Sequence, residues 1–95
     1  MVIITYDVNT ETPEGRKRLR QVSKACLDYG QRVQNSVFEC ELDAGQLLKV
    51  KERLIALIDM KADSLRFYTL KNVRSKSVEH YGIKPSIYAT EPLII

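Results

Sequence analysis

The stretch Gln31-Arg32-Val33-Gln34-Asn35-Ser36-Val37-Phe38-Glu39-Cys40-Glu41-Leu42 decides how this chain folds. It is β-rich, yet its apolar positions do not keep one alternation. Val33 and Val37 share a parity, whereas Phe38 shares the other with Cys40 and Leu42. A slip of one residue moves every strand side chain to the opposite face, so one regular strand cannot bury both sets on one side. A tight turn or bulge near Gln34-Asn35-Ser36 reconciles them, and the segment then reads as two short antiparallel strands.

Upstream of this pair lies a helix. Thr12 is suited to its N-cap, Pro13 to its first turn and Gly30 to its C-terminal stop, with the helical pattern running to about Tyr29. Leu19, Val22, Cys26 and Tyr29 recur at helical spacing as a buried stripe. Arg16, Arg20 and Lys24 line up on the opposite side with Lys17 beside them, and Arg18 flanks the stripe. Before the helix, Val2-Ile3-Ile4-Thr5-Tyr6-Asp7-Val8 reads as a strand that the polar run Asn9-Thr10-Glu11-Thr12-Pro13 must end. Val2, Ile4, Tyr6 and Val8 share one face of it, and Ile3, Thr5 and Asp7 the other.

Downstream, Asp43 and Gln46 fit a capping box. The helix they open carries Leu47, Val50, Leu54, Leu57 and Ile58 as its apolar stripe and ends before Lys61-Ala62-Asp63. Ser64 to Leu70 alternates as a strand. The order is therefore strand, helix, strand pair, helix, strand. Two right-handed units sharing one antiparallel sheet give an α+β, ferredoxin-like βαββαβ sandwich with both helices on one face. The other face would carry Ile3, Thr5 and Asp7, too apolar a group to stay wet, and a two-fold homodimer is the simplest cover.

The 95 residues make one domain, with 71–95 as a C-terminal extension. In that extension Lys71 to Lys76 is a basic loop, Lys76 to Tyr81 an extended strand, and Gly82 and Pro85 break it. Pro92-Leu93-Ile94-Ile95 is apolar and suited to pair with a sheet edge, on its own subunit or on its mate.

Composition narrows the function. With 44% hydrophobic and 28% charged residues the chain is ordinary globular material. No membrane span and no signal-peptide layout is evident, so the expected location is the cytoplasm. Cys26 and Cys40 lie in periodic segments and read as small reduced core residues. The net charge is only +3, but Arg16, Lys17, Arg18, Arg20, Lys24 and Arg32 crowd one region, as a polyanion-binding surface would. A phosphate loop, clustered Cys/His ligands and a GxSxG elbow are all missing, which removes support for most enzyme classes. His80 is the lone histidine and reads as structural or exposed more readily than catalytic.

Asp7 has two readings on these grounds. It is a solubilising charge where the sheet meets its first loop, or a hard carboxylate ligand for an ion such as Mg²⁺. One carboxylate per chain is thin for a metal site. Placed near a two-fold axis, two copies would share the ion while the basic ridges hold a duplex backbone on either side.

The runs Ile4-Thr5-Tyr6-Asp7-Val8, Arg18-Leu19-Arg20-Gln21-Val22, Gly30 to Glu39 (GQRVQNSVFE) and Asp63-Ser64-Leu65-Arg66-Phe67-Tyr68 carry a resemblance that spans nearly the whole chain. In this order and spacing they resemble the second of the two universal CRISPR-associated proteins, the small nuclease-fold subunit that works with the CRISPR integrase in spacer acquisition. The tail is similar to that of the version found with compact Cascade-type systems.

The resemblance implies a ferredoxin-like homodimer whose C-terminal strands help join the subunits. It also implies a metal-dependent endonuclease acting on DNA or RNA, with Mg²⁺, or Mn²⁺ in its place, as cofactor. Asp7 matches the family's metal-binding aspartate and Tyr6 its catalytic neighbour. Arg18, Arg20 and Arg32 match basic positions implicated in handling nucleic acid, to which the ridge adds Arg16, Lys17 and Lys24. Phe38 matches an aromatic position best read as packing. The loop after Asp7 reads Asn9-Thr10-Glu11-Thr12 where many relatives have an aspartate-rich turn, which leaves Glu11 as its one acid.

Two functions follow. One is a phosphodiesterase using Asp7 from both subunits. The other is an architectural adaptor, a basic platform that holds double-stranded DNA for the CRISPR integrase subunit. A toxin-like ribonuclease of similar fold is a third, weaker reading, and the basic ridge argues against a small-molecule regulator.

Overall fold

The computed structural model describes residues 1–70 and 76–83. The elements are β1 (Val2–Asp7), α1 (Pro13–Leu27), β2 (Gln31–Gln34), β3 (Val37–Cys40), α2 (Ala44–Leu57), β4 (Ser64–Leu70) and β5 (Lys76–Gly82). They build one sheet in the order β2-β3-β1-β4-β5, with every neighbouring pair antiparallel. β1 and β2 therefore point the same way with β3 inserted between them, the split βαβ arrangement of the expected ferredoxin-like sandwich.

The deciding stretch contains both a turn and a bulge. Gln31 pairs with Glu39 and Arg32 with Phe38, but the next pair is Gln34 with Val37. The register shift falls at Val33, which is exposed. This extra residue lets Val33 differ in parity from the buried Phe38 and Cys40 without breaking the sheet. On the helix-facing side, Val2, Ile4, Tyr6, Phe38, Cys40, Leu65 and Phe67 meet Val22, Ala25 and Cys26 of α1 and Val50 and Leu54 of α2 in one core. Leu19, Tyr29, Leu47 and Leu57 pack at its margin.

Both helix starts follow the sequence signals. Thr12 accepts a hydrogen bond from the Gly15 N–H, and Asp43 and Gln46 form the reciprocal capping box. The end of α1 departs from expectation. The helix stops at Leu27 with Asp28 as its cap, and Gly30 is not in the left-handed region. The glycine answers a packing need, since a Cβ on it would stand 2.3 Å from both the Cys40 Sγ and the Glu39 carbonyl oxygen. At Gly82, by contrast, φ is +97° and a Cβ would meet the Asp63 carbonyl at 2.0 Å. Glycine ends β5 there because no other residue suits that backbone.

β5 pairs with β4 of its own chain along its whole length, from Ser64↔Gly82 to Leu70↔Lys76. That part of the extension is thus accounted for within the subunit. The basic loop at 71–75, Pro85 and the apolar end Pro92–Ile95 lie outside the described residues. The helix-free face is less wet than its composition implied. Ile3 is buried there, between its register partners Glu39 and Tyr68. Val78 on the same face remains exposed. Among the described residues, no helix is long and apolar enough to cross a membrane.

Candidate functional site

β1 delivers Tyr6 and Asp7 to one end of the sheet. There they meet the second and third turns of α1 and the β2–β3 turn around a cavity of about 680 Å³. Asp7, Tyr6 and Val8 come from the β1 end, Leu19, Arg20, Ser23, Lys24 and Leu27 from α1, and Arg32, Asn35 and Ser36 from the hairpin. Five of the residues singled out in the sequence, Tyr6, Asp7, Arg20, Lys24 and Arg32, thus share one concave surface. Leu19, Leu27 and Val8 give it an apolar portion.

Each member is held differently. Asp7 is exposed, the last residue of β1, opposite Ser64 in the β4 register. Tyr6 is buried, with its ring stacked on Phe38 at 6.1 Å between centroids. Its hydroxyl donates to the Asn35 carbonyl at 3.4 Å, and its backbone N–H to the Ser36 carbonyl at 3.2 Å. Burial pushes the Tyr6 phenol above its ordinary value of 10.0, although Ser23 and Arg32 oppose the rise. Tyr6 therefore stands in the cavity as a neutral hydroxyl. Arg32 lies over the Phe38 ring, 5.2 Å from its centroid, and donates to the Ser23 Oγ. Phe38 itself is fully buried and supports both Tyr6 and Arg32, as a packing residue would.

Three of the predicted basic residues lie elsewhere. Arg16 is exposed and donates through Nη1 to the Thr10 carbonyl at 3.2 Å, and Lys17 is exposed on the outer side of α1. Arg18 turns inward. Its Nε sits 2.8 Å from the Asp63 Oδ2 and its Nη2 3.3 Å from Oδ1. Asp63 was not among the candidates. It is fully buried and accepts two backbone hydrogen bonds besides, from Asn9 at 2.9 Å and Asp59 at 2.8 Å. Burial alone would raise its carboxyl, but Arg18 and the two N–H groups outweigh that and hold it below the usual value. A polar residue at the threshold of a buried strand was the available signal; its partner, 45 residues away, left none.

The remaining titratable candidates do not line the cavity. Burial drives the Cys26 thiol up to about 12 and the Cys40 thiol up to about 11, so neither is a nucleophile or a ready ligand. His80 lies on the helix-free face, where its Nδ1 takes a hydrogen bond from the Arg66 Nε at 2.9 Å and its Nε2 lies 2.7 Å from the Ile83 carbonyl. Glu11 is exposed on the loop after Asp7 and does not line the cavity.

Among the described residues, no group of three or more His, Cys, Asp or Glu side chains could hold a metal ion. What the cavity offers is one accessible hard carboxylate, Asp7. That donor suits a cation such as Mg²⁺, which keeps several waters and completes its shell with phosphate oxygens. It suits neither a closed structural site nor a soft metal.

Comparison with known proteins identifies the family. The family model described as CRISPR associated protein Cas2 matches residues 1–78. A protein from Rhodospirillum rubrum named CRISPR-associated endoribonuclease Cas2 3 is 55% identical over 95 residues, spanning 100% of both chains. One from Halalkalibacterium halodurans, named CRISPR-associated endonuclease Cas2, is 57% identical over 99% of this chain and 98% of its own. The crystal structure of Streptococcus pyogenes Cas2 at pH 6.5 superimposes with a TM-score of 0.68 at 64% identity, over 73% of this chain and 83% of that one. The fold, the Tyr6-Asp7 strand end and matches of this length together establish that the chain belongs to the Cas2 family of CRISPR-associated proteins.

Proposed function

We propose that this chain is a metal-dependent endonuclease that hydrolyses phosphodiester bonds in DNA or RNA and acts with the CRISPR integrase in spacer acquisition. The observation that carries the reading is the cavity whose lining brings together Asp7, Arg20, Lys24 and Arg32. Three cations lining one cavity suit a polyanion, and a carboxylate in the same lining is the group that would admit a hard cation. The names of the relatives, endonuclease and endoribonuclease, point the same way.

In this mechanism Arg20, Lys24 and Arg32 hold the phosphate backbone and balance the charge that builds on the reacting phosphoryl oxygens. Arg32 is preorganised for that task by Ser23 and the Phe38 ring. The Tyr6 hydroxyl, fixed on Asn35, sets the wall beside the reacting group and stays protonated. Asp7, exposed at a strand end, would hold Mg²⁺, or Mn²⁺ in its place, and the same residue of a second protomer would be its natural companion ligand. When bound, such an ion polarises the phosphodiester and lowers the pKa of a bound water. The chain thus works as a homodimer.

A second reading is favoured by Arg16 and Lys17. They lie outside the cavity on the exposed side of α1, where they extend its basic surface. A platform that only holds double-stranded DNA for the integrase needs that outer ridge more than it needs Asp7. Incubating the protein with single- and double-stranded DNA and RNA, with Mg²⁺ and with a chelator, tests the first reading. Cleavage of at least one substrate in Mg²⁺ alone is expected. Tight binding without cleavage of any would overturn it in favour of the platform.

A further inference from the structure

Helical period sets Arg18 beside the apolar stripe of α1, while the family resemblance matches it to a basic position that handles nucleic acid. Its surroundings say otherwise. Its side chain is 19% exposed, and two of the five N–H donors of a guanidinium are spent on a carboxylate with no exposure at all. A phosphate that took those two donors would displace the carboxylate and leave a buried charge unpaired.

Asp63 gathers four parts of the fold at one residue. Its side chain takes Arg18 from α1, the Asn9 N–H from the loop after β1, and the Asp59 N–H from the end of α2. Its backbone carbonyl takes the Ile83 N–H just beyond β5 at 2.9 Å. Asn9 is only two residues past Asp7, and it is pinned from the other side as well. The Gly15 backbone of α1 approaches so closely that a Cβ there would stand 1.9 Å from the Asn9 carbonyl oxygen. The Asn9 side chain also accepts the Glu11 N–H at 2.9 Å, which tightens the loop. Asp7 leads straight into this anchored segment, while Arg20 and Lys24 ride on the helix that Arg18 fastens to it.

We propose that Arg18 and Asp63 form a positioning clamp that fixes the Asp7 strand end against the basic side of α1, and that Arg18 makes no contact with nucleic acid. The clamp follows from the fold. Its effect on cleavage rests on the nuclease reading above. A bidentate pair of this kind depends on the planar fork of arginine, which lysine cannot reproduce although it keeps the charge. Lysine would serve a phosphate contact almost as well.

Three measurements on the full-length chain test this. Arg18→Lys should speed hydrogen exchange of the Asn9 amide at least about tenfold, because the carboxylate that accepts it loses its hold. Arg18→Gln should leave the salt dependence of duplex binding unchanged, whereas Arg20→Gln should lower its slope by about one. Arg18→Lys and Asp63→Asn should each lower the cleavage rate about tenfold or more, and the double variant no further than the worse single one. Should Asp63→Asn fail to fold, Arg18→Lys alone carries the exchange and rate comparisons. A protected Asn9 amide in Arg18→Lys, or a slope lowered by about one in Arg18→Gln, overturns the clamp. If the wild-type protein cleaves nothing, the nuclease reading falls while exchange and salt slope still decide the clamp.

Discussion

Asp7 ends β1 directly across from Ser64 at the start of β4, so the exposed Asp7 stands one residue in register from the buried Asp63. The two acids divide the work. Asp63 is enclosed and committed to Arg18 and two backbone N–H groups, and Asp7 is left accessible at the cavity wall.

Asp63→Asn keeps the shape of the side chain and removes its charge. The loss at neutral pH should be about 2 kcal/mol, in the range for hydrogen bonds to a charged group. Because the folded carboxyl titrates below its ordinary 3.8, the contribution is complete above that value and is lost as pH falls through the lower folded one. Urea unfolding of wild type and variant should therefore differ at neutral pH and converge on strong acidification. A gap that widens in acid would contradict the assignment.

Phe38 separates packing from substrate contact. It is fully buried beneath Tyr6 and Arg32, so Phe38→Ala should cost about 3–5 kcal/mol in unfolding free energy. Phe38→Leu retains most of the volume and should keep both the fold and nucleic-acid binding. A well-folded Phe38→Leu protein unable to bind would give the ring a direct role.

Gly30→Ala asks why the chain has a glycine there. The added methyl group would meet the Glu39 carbonyl, a backbone atom that cannot swing aside, so thermal unfolding should occur several degrees lower. A neutral or stabilising outcome would contradict the packing account of Gly30.

The cavity cations and the outer ridge should separate by substrate length. On a short single strand, Arg20→Gln and Lys24→Gln should each lower the salt slope of binding by about one, and Arg16→Gln should not. On a long duplex, Arg16→Gln and Lys17→Gln should lower it as well. Equal effects of all four on the short strand would merge the two surfaces.

The local features were legible in the sequence. The parity break between Val33 and Phe38, the Thr12-Pro13 and Asp43–Gln46 helix starts, and the alternation from Ser64 to Leu70 are short-range signals, and each formed as read. Helical period likewise placed Arg20 and Lys24 on one side of α1. What failed to show were long-range relationships. Period set Arg18 at the edge of the apolar stripe, but nothing near it specifies a partner 45 residues on. Gly30 looked like a helix cap because its constraint comes from Cys40 and Glu39 on another strand. Ile3 was placed on the helix-free face correctly, but its burial there, beside its register partners Glu39 and Tyr68, was not legible from alternation.

Asp7→Asn is the most direct test of the central claim, that the carboxylate in the basic cavity makes the chain a metal-dependent nuclease. The variant is compared with wild type for Mg²⁺-dependent cleavage of single- and double-stranded DNA and RNA, with oligomeric state and binding affinity measured on the same samples. Cleavage should vanish while assembly and affinity stay at wild-type levels. An Asn variant that cuts as well as its parent would contradict the account.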